Sequence, residues 1–169
     1  METVTTMTLW DLIEKILLNG KVLAVIAAAI AAIIPAIGSA KAVGSVGEAL
    51  GGLVSEDPEK FGKGFLLQVL PATQGIYGFI IAFMIFLQLG NYEEANIAMG
   101  LYSVGAALPV AISGYFSAIR QGRVACAGIA AVAKRPEASG KCVTATAMVE
   151  LYALLALIIS FLLVVFNPF

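Results

Sequence analysis

Residues 147–156 read Ala-Met-Val-Glu-Leu-Tyr-Ala-Leu-Leu-Ala. One acid, Glu150, interrupts an apolar run from Cys142 to Phe166 that holds no other charged side chain. About 20 apolar residues, rising ~1.5 Å each, cross the hydrocarbon core of a bilayer, so this run is long enough to span it. A charge at such depth costs about 2.5–3.5 kcal/mol on insertion scales. Glu150 must therefore be paired, protonated or bound to a cation. The stretch predicts a membrane-spanning helix and a functional carboxylate within it.

Working outward, three more spans are expected, over Val22–Leu53, Phe65–Leu89 and Ile97–Ala133. The whole composition agrees. Hydrophobic residues make up 60% of the 169 and charged residues only 12%, against about 25% charged in soluble domains. A net charge of −1 gives no electrostatic basis for binding nucleic acid. The absence of His excludes imidazole metal ligands and His-based triads. Cys126 and Cys142 form no CxxC pattern and read as small core residues. No GxxxxGK[ST] loop is present, so the chain is not expected to hydrolyse ATP; it is read as a non-catalytic protein.

The connections set an orientation. The turn at Ser55–Pro58 has Lys60 and Lys63 beside it, and the turn at Lys134–Pro136 has Arg120, Arg123 and Lys141 nearby. The connection at Asn91–Glu94 is acidic. The positive-inside rule places the two basic turns in the cytoplasm and both termini outside. Near the start, Leu9, Trp10, Leu12, Ile13, Ile16 and Leu17 share one side of a helical wheel, opposite Asp11, Glu14 and Lys15. That pattern predicts a short amphipathic helix on the membrane surface, with Trp10 as its anchor. The chain thus divides into a segment 1–19, a first hairpin 20–90 and a second hairpin 91–169.

The two hairpins are related. An offset of 78 pairs Ser39-Ala40 with Ser117-Ala118, Gly44 with Gly122, Pro58-Glu59 with Pro136-Glu137, and Gly62-Lys63 with Gly140-Lys141. After a three-residue gap, Gly75-Ile-Tyr77-Gly meets Glu150-Leu-Tyr152-Ala. Pro35 and Pro109 are 74 apart, which needs a second gap, and each predicts a bend. Both hairpins begin on the same side, so the duplication is parallel, unlike the inverted repeats of many transporters. Gly38, Gly44, Gly47 and Gly51 in the first span (the last three at three- and four-residue spacing) and Gly100, Gly105, Gly114, Gly122 and Gly128 in the third predict close packing of spans one and three. Spans two and four, rich in Phe and Leu, should face lipid. Such wedges repeated about an axis give a ring with spans one and three inside.

Depth identifies partners for Glu150. It lies 14 residues beyond Pro136, about 21 Å along a helix. Gln121 lies 15 residues before Pro136; Thr73 and Gln74 lie 15 and 16 after Pro58. All four share one height. Tyr77 stands one turn from Thr73, and Pro71 frees a backbone carbonyl, so that nearby carbonyls such as Leu70's are candidates to face the site. One carboxylate among amide, hydroxyl and carbonyl oxygens suits a hard monovalent cation such as Na⁺. A proton carrier, with Thr73 and the glutamines structural, remains the alternative. So does a passive channel or structural proteolipid with Glu150 lining a pore.

These residues resemble a known family. Gly-Ser-Ala-Lys at 38–41, Leu-Pro-Ala-Thr-Gln-Gly-Ile-Tyr-Gly at 70–78, Gln-Gly-Arg-Val-Ala at 121–125 and Met-Val-Glu-Leu-Tyr-Ala at 148–153 are similar to the membrane rotor-ring proteolipids of V-type (V/A-type) rotary ATPases in their doubled, four-helix form. The likeness covers the chain from about Gly20 and is strongest to sodium-transporting bacterial members. The resemblance implies Na⁺ held by Leu70 (main-chain oxygen), Thr73, Gln74, Gln121 and Glu150, with the Tyr77 hydroxyl on the carboxylate. It also implies a homo-oligomeric ring in the bacterial plasma membrane, turning against a stator subunit that supplies an Arg. A central-stalk subunit would dock on the cytoplasmic loops, and ATP would be hydrolysed elsewhere in the complex.

Overall fold

A computed structural model describes residues 8–17, 19–91 and 97–168. The helices are α1 (Leu9–Leu17), α2 (Gly20–Glu56), α3 (Phe61–Val69), α4 (Thr73–Leu87), α5 (Ile97–Lys134) and α6 (Ser139–Val165). Short 3₁₀ turns occupy Pro58–Lys60, Leu70–Ala72, Leu89–Asn91 and Pro136–Ala138. Among the described residues, four membrane-length apolar segments result, at Gly20–Glu56, Pro58–Leu87, Ile97–Lys134 and Pro136–Val165. The chain is an all-helical membrane protein of two tandem hairpins. The acidic connection expected at Asn91–Glu94 falls mostly outside the described residues, as do the side chains of Glu14, Ile16 and Leu17.

Local chemistry sets the helix ends. Thr8 and Asp11 cap α1 reciprocally: the Thr8 N–H donates to Asp11 Oδ2 at 2.8 Å, and the Asp11 N–H donates to Thr8 Oγ1 at 3.2 Å. Those bonds hold the exposed Asp11 carboxyl below its ordinary range. Leu9 and Trp10 on this helix are largely exposed. Asn19 caps α2 by accepting from the N–H groups of Lys21 and Val22. At the other end, Asp57 ends the helix and starts the turn, accepting from the Glu59 N–H at 3.1 Å. Lys60 pairs with Asp57 at 3.1 Å and donates to the Ala133 carbonyl at 2.9 Å. A cation thus sits on one of the carbonyls that the C-terminus of α5 leaves unpaired, and it ties the two turns together.

Helices α2 and α5 pack along their lengths; α3 and α4 lie over α2, and α6 lies over α5. The outer helices expose Phe79, Phe83, Phe86, Leu155 and Phe161, as expected of a lipid face. Two apolar clusters fill the interior. One contains Ala24, Ala31, Ile81, Ile85, Ala107 and Val110; the other, nearer the basic turns, contains Val46, Leu50, Leu67, Ala125, Ile129 and Val132. Polar side chains meet between them.

The glycine expectation is corrected in part. A Cβ on Gly38 would stand 2.8 Å from the Tyr115 carbonyl oxygen, and one on Gly122 would stand 2.8 Å from the Ala42 Cβ. Both mark close contact of α2 and α5. Gly44, Gly51 and Gly105 meet nothing within 4 Å, because they point away from that contact. The closest approach is elsewhere. Pro35 lacks the N–H that would bind the Ala31 carbonyl, and a Cβ on Gly78 would collide with that oxygen. Only a glycine lets α4 cross α2 there.

The duplication is visible in hydrogen bonds. Ser39 Oγ accepts from the Gly75 N–H at 2.9 Å, and Ser117 Oγ donates to the Val149 carbonyl at 3.0 Å. Under the two offsets, both serines bind the same peptide unit of the overlying helix, 74–75 in one hairpin and 149–150 in the other. The gapped register of the repeat is therefore also the register of packing.

Candidate ion site at Glu150

Glu150 projects from the middle of α6, about 16 Å along the helix from its first residue. Tyr77, from α4, donates its hydroxyl hydrogen to Glu150 Oε1. Gln121, from α5, reaches Glu150 Oε2 with its Nε2 at 3.5 Å and donates to the Thr146 carbonyl at 3.2 Å. Its Oε1 accepts from Gln74 Nε2 at 2.6 Å, and the same nitrogen lies 3.4 Å from Ser117 Oγ. Side chains from both hairpins thus converge on one carboxylate. Gln74 and Gln121 are fully buried.

Each position has a local cause. Pro71 breaks the α-helical ladder, and the chain passes through a 3₁₀ turn at Leu70–Ala72 before α4 begins at Thr73. Inside that turn the Leu70 carbonyl takes both the Thr73 N–H and the Thr73 hydroxyl, the latter at 2.9 Å. Thr73 and the Leu70 oxygen therefore stand together as a pair. Thr73 bonds to Leu70 O and not to the acid, while Gln74, Tyr77 and Gln121 form the chain of contacts to Glu150.

One polar atom stands out. Gln74 Oε1 is buried and has no hydrogen-bond donor among the described residues. A buried acceptor left unmatched costs about 1–3 kcal/mol. A hard cation is a fitting partner for an amide oxygen at that depth, because it takes carbonyl and carboxylate ligands together. The set of one carboxylate, amide oxygens, a hydroxyl and a main-chain carbonyl matches that chemistry.

Sequence reasoning missed two members. Ser117 lies under Gln74, and Thr146 is fully buried, giving its carbonyl to Gln121 while its hydroxyl donates to the Cys142 carbonyl at 2.8 Å. The Ser39–Ser117 identity in the repeat held a signal for the first; the second is a backbone atom with no sequence signature.

The chain matches the ATP synthase C-subunit family twice, over residues 26–85 and 104–163. The chain belongs to that family. The two matches are the two hairpins, so this is its doubled form, a subunit K-type proteolipid and a non-catalytic rotor component of a rotary ATPase. The curated relatives agree. A V-type sodium ATPase subunit K from Enterococcus hirae is 53% identical over 146 residues, covering 86% of this chain and 92% of that protein. An A-type ATP synthase subunit K from Methanocaldococcus jannaschii is 37% identical over 145 residues, covering 85% of this chain and 62% of the relative.

Proposed function

We propose that this family member carries Na⁺ through the membrane on Glu150, as one subunit of a homo-oligomeric rotor ring. The observation that carries the reading is the unmatched Gln74 oxygen, buried on a side chain that reaches the carboxylate through two hydrogen bonds by way of Gln121. The ligands are Glu150, Gln121, Gln74, Thr73 and the Leu70 main-chain oxygen, with Tyr77 orienting the acid. That the Enterococcus relative is a sodium ATPase subunit supports the choice of ion.

The physics couples ion exchange to rotation. An occupied site is neutral overall and passes through lipid at little cost. An emptied Glu150 is an anion, and a bare charge there costs kilocalories. It therefore needs a cation from a stator subunit, an Arg by family likeness, before it can release its ion and take the next. Each chain carries one ion, because the first hairpin has Gly75 where the second has Glu150. The basic turns, cytoplasmic by the positive-inside rule, face the central stalk; both termini lie outside, with α1 on the outer membrane surface.

Carbodiimide modification of Glu150 at fixed pH tests the ion. Na⁺ is expected to protect the carboxyl in a saturable way, and K⁺ is not. Labelling indifferent to Na⁺ would favour the proton-carrying alternative, which the Tyr77–Glu150 hydrogen bond alone would also serve.

A further inference from the structure

The two hairpins pack head to tail within one chain, and the same packing leaves two complementary faces open. A groove of about 300 Å³ on the second hairpin is lined by Ser113, Phe116, Ser117, Arg120, Val149 and Tyr152. The counterparts of Phe116, Ser117, Arg120, Val149 and Tyr152 in the first hairpin are Gly38, Ser39, Ala42, Gln74 and Tyr77. Most of these are the residues by which the first hairpin grips the second. A groove of about 390 Å³ on the first hairpin includes Ser39, Ala40, Val43, Gly75 and Phe79. Among their counterparts, Ser117, Gln121 and Glu150 lie against side chains of the first hairpin, and Ala118 is fully buried. A contact of this kind joins unlike faces and propagates around an axis until it closes.

Translating one contact within the chain fixes the register between copies. Gly122 sits against Ala42 inside the chain. The offset of 78 turns this pair into Gly44 of one copy against Arg120 of another. Gly44 meets nothing within 4 Å in its own chain, which leaves room for an arginine. Arg120 lies 15 residues before Arg135, about 22 Å along the helix, and is half a helical turn from the side of α5 that packs on α2. Glu48 lies one turn beyond Gly44 on α2, level with Arg123 across the translated contact. Arg120, Arg123 and Glu48 are exposed, and none makes an ion pair or hydrogen bond with a described residue.

We propose that Glu48 of each copy is gripped by Arg120 and Arg123 of its neighbour, with Phe116 and Tyr152 of that neighbour seated in the groove over Gly75. This rests on the ring reading above and adds the side chains that hold the ring. Charges at membrane depth occur mostly in pairs or facing protein; here each pair is completed only by a second copy. The joint is otherwise dry: Gly75, Val43 and Val149 stand where the joint inside the chain has Glu150, Gln121 and Gln74. Phe116 and Arg120, replacing Gly38 and Ala42, also hold the copies further apart than the hairpins of one chain.

Two measurements on the full-length protein in its membrane test this. With Cys126 and Cys142 replaced by Ala, the pair Gly44→Cys and Arg120→Cys should give a ladder of covalent multimers on oxidation, and neither substitution alone should. In detergent, Glu48→Arg should reduce the ring seen by native mass spectrometry by about tenfold or more, and adding Arg120→Glu and Arg123→Glu should restore most of it. A ring of normal mass without the ladder overturns the proposal and leaves the ring reading standing. Absence of any oligomer in the unmutated protein overturns both. Loss of the ring with the arginine changes but not with Glu48→Arg also overturns it, because the arginines would then be holding lipid phosphates.

Discussion

The two hairpins are near copies in backbone and opposites in chemistry. Each places a serine of its inner helix on the same peptide of its outer helix, and each has a tyrosine two residues further on. Only the second has an acid between them. The first supplies the groups around that acid: Gln74 and Tyr77 from α4, and the main-chain turn at Leu70–Ala72. Duplication has let one hairpin keep the charge while the other became its binding partner. The site is made where the two meet, and neither hairpin holds it alone.

The sharpest way to break this division is to remove the acid. Glu150→Gln should abolish Na⁺ binding to the purified ring while leaving the ring assembled, since the amide keeps the shape and can still accept from Tyr77. Equilibrium binding of radioactive Na⁺ gives the readout. Retained stoichiometric binding would show that the charge is dispensable and the assignment wrong.

Backbone approach differs between the hairpins as strongly. Gly78 faces the Ala31 carbonyl and Pro35, whereas its counterpart Ala153 packs beside a serine, Ser113, whose hydroxyl donates to the Tyr152 carbonyl at 3.0 Å. Gly78→Ala therefore forces α4 off α2 and should cost about 3 kcal/mol or more, a severe effect of the overpacking kind. Ala153→Gly should cost about 1 kcal/mol. Thermal unfolding of the detergent-solubilised protein compares them; equal losses would remove the claim that Pro35 and Gly78 define one tight crossing.

The tyrosines make a milder pair. Tyr77 touches the acid, and Tyr152 is 69% exposed within the single chain. Tyr77→Phe should weaken Na⁺ binding about tenfold, the worth of one hydrogen bond to a charged group. Tyr152→Phe should leave Na⁺ affinity unchanged. An equal effect of both would mean that the second hairpin's tyrosine also reaches a carboxylate, contrary to the dry joint.

Much of this was legible in the sequence, for a physical reason. A bilayer tolerates few charges, so one acid in an apolar run stands out, and counting residues from a fixed turn gives depth at a constant rise per residue. Depth brought Thr73, Gln74, Gln121 and Glu150 to one level, and the structure joins three positions, Gln74, Gln121 and Glu150, by hydrogen bonds. Azimuth was harder to read. Whether Gly44 or Gly122 faces a neighbouring helix depends on rotation about the axis, and spacing alone gave both the same role. The Thr73 hydroxyl lies on the Leu70 carbonyl, a rotation set by the 3₁₀ turn that spacing alone does not give. Ser117 was seen only as a repeat identity because a serine in a helix has a nearer default partner in its own backbone.

The smallest predicted contrast is between the two serines. Ser39 accepts from the N–H of Gly75, which lies in the first turn of α4, where a helix leaves its donors unpaired. Ser117 donates to the Val149 carbonyl, which lies mid-helix in α6 and has its own helical partner available. Ser39→Ala thus orphans a donor in a low-dielectric setting and should cost about 1–2 kcal/mol of stability. Ser117→Ala removes a supplementary bond worth about 0.6 kcal/mol. For Na⁺ affinity the order should reverse, because Ser117 lies within reach of Gln74 Nε2 and Ser39 has no hydrogen bond to a site side chain. Measuring melting temperature and Na⁺ affinity on both variants separates the serine that holds a helix from the serine that steadies the site; one variant losing both properties most would mean the hairpins do not divide the work in this way.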